Sequence, residues 1–144
     1  SLTEENSQKI LVYSQHYWRG SKDMTVKEFY DEISGDYEGV MSRFPSESFT
    51  LKFIIRFLDD TSFNDLCSSL EIRDYKEAFR AAHNLKGLGL SLGFTCLGRS
   101  GSDMADALRG DDIDIENLDN LDKLLMKVRE DYNKTIEVIK RLKG

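Results

Sequence analysis

Proline occurs once in this chain of 144 residues and cysteine twice, and each scarcity excludes something. With Pro45 alone, no other apolar stretch carries a proline, and β-branched runs are short, so a mostly helical chain is expected. Cys67 and Cys96 stand apart, with no C-x-x-C pair and no histidine at ligand spacing. Neither a disulfide framework nor a zinc site is expected, and both thiols are predicted to be buried and reduced. No apolar run approaches the roughly 18 residues that span a bilayer, and the opening does not resemble a signal peptide, so the expected compartment is the cytoplasm. Positive charge is also in deficit: 20 Lys and Arg against 26 Asp and Glu give a net charge of -6, which argues against a nucleic-acid or anionic membrane surface. A glycine-rich nucleotide loop, a metal cluster and paired catalytic carboxylates are all missing, so ATP binding and a resident cofactor or metal are not expected.

What is present is helical periodicity. Tyr75, Ala78, Ala82, Leu85, Gly89 and Leu92 repeat at steps of three and four, and form one apolar stripe. Phe94, Leu97, Gly101, Met104 and Leu108 form a second. Leu118, Leu121, Leu125, Val128, Tyr132, Ile139 and Leu142 form a third, with Thr135 at the missing step. Gly93 and the Arg109-Gly110-Asp111-Asp112 stretch break these helices with short connections, and short connections make antiparallel neighbours. Upstream, Phe49, Leu51, Phe53, Ile54, Ile55, Phe57 and Leu58 leave a narrow polar strip around Lys52 and Arg56, so that helix is predicted to be covered on most sides, with Pro45 suiting its opening turn. Residues 61 to 72, with Thr61 as N-cap, extend the same arm. The expected fold is all-α: an antiparallel up-down four-helix bundle with additional N-terminal helices.

Those additional helices begin at Met24-Thr25, where a cap precedes Val26, Phe29, Tyr30 and Ile33; Gly35-Asp36 then opens a second, reaching Val40, Met41 and Phe44. One domain is expected over residues 24–144. Residues 1–23 are read as an N-terminal extension, a helical linker or vector-derived lead ahead of a native start at Met24, or equally a true extension.

His83 lies roughly 130° from the centre of the Tyr75-to-Leu92 stripe, on the outward face, where a core histidine would not sit. Lys86 is its i+3 neighbour and places an ammonium beside the imidazole; Gly87, at i+4, leaves the ring sterically open. Glycine costs about 1 kcal/mol against alanine inside a helix, so Gly87 and Gly89 each need a reason. A neutral imidazole keeps a nitrogen lone pair that can attack phosphorus, and a neighbouring cation offsets the phosphoryl charge. His16 has neither an i+3 lysine nor an i+4 glycine. Phe79 and Leu90 fall roughly 40° and 20° to one side of His83 and Gly87 about 40° to the other, so these three are read with Arg80 as a docking face, Arg80 being either a second phosphate-facing cation or a solvated surface charge.

Here the sequence resembles the histidine-containing phosphotransfer (HPt) family, whose helix motif is approximately H-x-L-K-G-x-x-x-x-L-G with another leucine a turn later. This chain supplies His83, Leu85, Lys86, Gly87, Leu92, Gly93 and Leu97, with Phe94 where the family often has alanine. The resemblance implies a phosphocarrier that is not an enzyme. His83 would accept and return a phosphoryl group from the phospho-aspartate of receiver domains, as in bacterial response regulators or hybrid histidine kinases. Mg²⁺ would lie on the receiver. The alternative from a different class is a non-phosphorylated helical adaptor using the same face to bind a partner; retention of Lys86 and Gly87 beside His83 speaks against it. A histidine-dependent hydrolase lacks any oxyanion or metal partner.

Overall fold

The computed structural model describes residues 24–110, 113 and 118–144; the expectations for residues 1–23, His16 among them, lie outside the described residues. All regular structure among the described residues is helical. Seven α-helices follow in order: α1 (Val26–Glu32), α2 (Tyr37–Arg43), α3 (Glu47–Arg56), α4 (Ser62–Glu71), α5 (Tyr75–Ser91), α6 (Thr95–Leu108) and α7 (Leu118–Lys143), with a 3₁₀ turn, Phe57–Asp59, between α3 and α4. None of the described helices is long and apolar enough to cross a membrane.

The starts of the helices follow from local chemistry. Thr25 and Glu28 form a reciprocal capping box on α1, while Asp36, Ser46 and Asp74 each accept a backbone N–H from the first turn of α2, α3 and α5. Ser46 is the cap of α3, so Pro45 stands just before it instead of within its first turn. Thr61 caps α4 by position, but its hydroxyl donates to Asp65 while Asp60 accepts the Ser62 N–H.

The three stripes read from the sequence face the core, which Phe29, Tyr30, Val40, Ile54 and Leu66 of the earlier helices complete. Ala78, Ala82, Leu85, Leu97, Met104, Val128 and Ile139 are fully buried, and Thr135 sits among them with its hydroxyl donating to the Asp131 carbonyl at 2.7 Å. α5 packs against α4 and α6, α6 also against α7, and α1 and α3 against α7. Arg141 near the end of α7 pairs with Glu32 at the end of α1.

Two expectations are corrected. α3 is not covered on most sides: only Thr50 and Ile54 are buried in it, and Phe49 remains 38% exposed. Leu51 and Phe53 pack partly on the core, and Phe53 also joins Phe44 and Phe49 in a local cluster with ring centroids 4.9 to 5.9 Å apart. Nor are the thiols buried. Cys96 is exposed on the outer side of the first turn of α6, and Cys67 is half-buried beside Arg129, 3.8 Å from its Nη2, with partial burial pushing the thiol pKa up.

Candidate functional site

α5 carries the site, and its two faces differ in what surrounds them. On the inward face a Cβ on Gly89 would lie 2.7 Å from the Gly98 nitrogen and 2.8 Å from its Cα, so α6 touches α5 backbone to backbone. One turn along, a Cβ on Gly101 would lie 3.1 Å from the Lys86 nitrogen. Gly98 and Gly101 therefore bring α6 against the segment that bears the histidine. Numbers fall along α6 as they rise along α5, so the two helices run antiparallel.

The end of α5 is held by the N-terminal helices. Gly93 adopts φ +73°, which closes the helix in the left-handed region, and its carbonyl accepts the Asp36 N–H at 2.9 Å. The Tyr30 hydroxyl donates to the Leu92 carbonyl at 2.6 Å, and Arg43 Nη2 donates to the Ser91 carbonyl at 2.9 Å. Carbonyls left without partners at a helix C-terminus are thus met by a phenol and a cation. Burial raises the Tyr30 pKa far above its ordinary value, Arg43 opposing and Asp36 adding to the shift. Phe94 turns away from α5 into an aromatic cluster with Phe29 and Phe57, its ring centroids 5.8 and 5.2 Å from theirs, which is what the side chain at this position does here.

On the outward face the residues proposed for chemistry lie together. His83 is exposed and makes no hydrogen bond among the described residues, and Gly87, one turn on, is exposed with nothing within 4 Å of where its Cβ would be. Lys86 is half-buried, and no ion pair among the described residues engages it. Arg80 differs: its guanidinium pairs with Glu77 at 3.1 Å on the open surface. Leu90 is 49% exposed, and its side chain leans on α6 where a Cβ on Gly98 would meet it at 2.8 Å. Phe79 is half-buried against the core, with its ring stacked on the His83 imidazole. Both apolar flanks of His83 are thus partly seated on the protein and partly presented to solvent. Asp103 and Asp106 are exposed, Asp106 paired with Arg109 at 3.5 Å.

Sequence reasoning missed the supports. Gly98 seats Leu90, and the small residues Gly98 and Gly101, three apart on α6, were a legible sign of a close helix crossing. Arg43 and Tyr30 reach α5 from 48 and 62 residues away, and no local pattern marks such contacts. Among the described residues no group of three or more His, Cys, Asp or Glu side chains is placed to hold a metal ion. In comparisons with known proteins, no family model, no curated protein and no solved structure matches this chain at a significant level.

Proposed function

We propose that this protein is a phosphorelay intermediate that carries a phosphoryl group on His83 and exchanges it with the phospho-aspartate of receiver domains. The observation that carries the reading is Gly87. Glycine in mid-helix is costly, and at Gly89 tight packing against α6 accounts for the cost. At Gly87 nothing among the described residues needs the missing side chain, since a Cβ would meet none of their atoms within 4 Å. A glycine that the described fold does not require, one turn from an exposed histidine and next to a lysine without an ion pair among the described residues, suits a surface where a second protein must come within bonding distance of the imidazole.

In the transfer a ring nitrogen of His83 forms the N–P bond with its lone pair as the acyl phosphate P–O bond of the aspartate breaks, and the carboxylate leaves with that electron pair. Lys86 offsets the charge on the transferring group. Mg²⁺ belongs to the receiver and supplies further charge neutralisation there. By the same reading α3 with α4, together with α5, α6 and α7, forms an antiparallel up-down four-helix bundle in which α5 is a rigid mount for the histidine, and the protein works in the cytoplasm.

The test is to incubate the purified protein with a panel of phosphorylated receivers and Mg²⁺ and to look for acid-labile, base-stable phosphate. Label is expected on the wild type and absent from His83→Gln, whose helical content and melting should stay near wild type because the side chain is exposed. Label that persists in His83→Gln overturns the assignment; a wild type that no receiver labels favours the adaptor reading.

A further inference from the structure

We infer that Phe79 is a positioning residue for the His83 imidazole, an inference that rests on His83 being the phosphoacceptor. Helical side chains lean toward the N-terminus, so the ring of residue 83 leans back over residue 79, one turn before it. The two rings are stacked, with centroids 5.9 Å apart and planes 23° from parallel, inside the range in which aromatic pairs attract. Phe79 is itself anchored. It packs against the core and, with Tyr75 and Leu108, lines a cleft of about 360 Å³ where the start of α5 meets the end of α6. The phenyl ring is therefore a wall held on one side by the core.

Among the described residues, that wall is the one lateral support of His83. No hydrogen bond among the described residues ties either ring nitrogen, and the residue one turn on, Gly87, offers no side chain to lean against. An exposed imidazole so placed would otherwise be free to exchange rotamers, and a nucleophile that must align with phosphorus loses rate in proportion to the time spent elsewhere. Stacking on Phe79 holds one ring orientation while the open Gly87 side admits the donor. Immobilising one side chain is worth a rate factor of about two to ten.

The experiment uses two variants of the whole chain. Phe79→Leu keeps apolar bulk over the Tyr75 and Leu108 cleft but removes the ring, and Phe79→Tyr keeps the ring. The NMR signals of the His83 ring protons, identified by their loss in His83→Gln, should carry the ring-current shift of a stacked phenyl in the wild type and in Phe79→Tyr, and should lose it in Phe79→Leu. The labelling rate with phosphoramidate should fall about two- to tenfold in Phe79→Leu and recover in Phe79→Tyr, with melting unchanged. In that reaction the imidazole forms the N–P bond, the bond from phosphorus to the amine nitrogen breaks, and ammonia leaves with its electrons. Ring protons that do not respond to Phe79→Leu, or a lost shift with labelling at the wild-type rate, would overturn the inference while leaving the relay reading intact. Labelling of the wild type by phosphoramidate but by no phospho-receiver would instead remove the relay, and the positioning effect on the small donor would still stand.

Discussion

The face of α5 that carries His83 and the seam where α5 meets α6 both contain glycine, two residues apart, in opposite surroundings. At Gly89 the opposing backbone occupies the space a side chain would need; at Gly87 the space is empty. One glycine is therefore a requirement of the fold, and the other a vacancy on its surface. The same division runs through the charges. Arg80 is paired with Glu77, Arg43 is consumed in holding the end of α5, and Lys86, three residues from the histidine on the side of Gly87, is left without an ion pair among the described residues.

The comparison is broken most directly through Lys86. If Lys86 serves the phosphoryl group, Lys86→Ala should slow transfer about ten- to a hundredfold, as loss of a charge-assisted contact of about 1 to 3 kcal/mol requires. Lys86→Arg should retain part of the rate, and neither should change melting by much. Quenched-flow labelling from a phospho-receiver measures it, and an unchanged rate in the alanine variant would make Lys86 an ordinary surface lysine.

The glycines give the next largest effects, with opposite signs. Gly89→Ala forces a Cβ to 2.7 Å from backbone that cannot retreat like a flexible side chain, so a loss of about 1 to 3 kcal/mol is expected in urea unfolding. Gly87→Ala meets no such obstacle and should gain up to about 1 kcal/mol by removing a poor helix former. Extending the same position to Gly87→Gln should block transfer from a receiver while sparing labelling by phosphoramidate, which needs the nucleophile without the protein interface. Equal destabilisation by Gly87→Ala and Gly89→Ala would erase the contrast.

The smallest effect lies at the support of α5. Tyr30→Phe removes the hydrogen bond to the Leu92 carbonyl and should cost about 1 kcal/mol. It should also change the alkaline limb of stability. The Tyr30 pKa is raised in the folded protein by burial, so above the ordinary tyrosine value of about 10 the unfolded chain sheds a proton that the folded chain keeps. The stability that Tyr30 contributes is whole below that pH and is lost as pH rises from there toward the folded pKa. Denaturation midpoints measured from pH 9 upward should therefore fall less steeply in Tyr30→Phe than in the wild type.

Local patterns carried far in this chain. The capping residues Thr25, Asp36 and Thr61, the breaks at Gly93 and Arg109-Gly110, and the burial of the three stripes were all visible before any coordinate, because caps, helix stops and amphipathic faces are decided within a turn or two. So was the outward placement of His83, which follows from helical phase alone. α3 misled because an all-round apolar composition counts residues without saying which bury one another. Phe44 and Phe53 pack partly on the core and partly on each other and on the exposed Phe49, instead of under a covering neighbour. Cys96 misled because a frequent habit of cysteine says nothing about the phase of this particular helix.

By itself the sequence determined that the described chain is helical, where most of its helices start and stop, and that a histidine, a lysine and a glycine share one outward arc of α5. These are properties of 3.6-residue periodicity and of hydrogen bonds that close within four residues. Only the tertiary structure decided that Gly89 is crowded and Gly87 is not, that Arg80 is engaged and Lys86 is not, and that Arg43 and Tyr30 hold the end of α5. Each of those depends on which atoms from distant parts of the chain occupy the same few ångströms, and identical residue types two positions apart acquire opposite roles only when a neighbouring helix arrives on one side and solvent remains on the other.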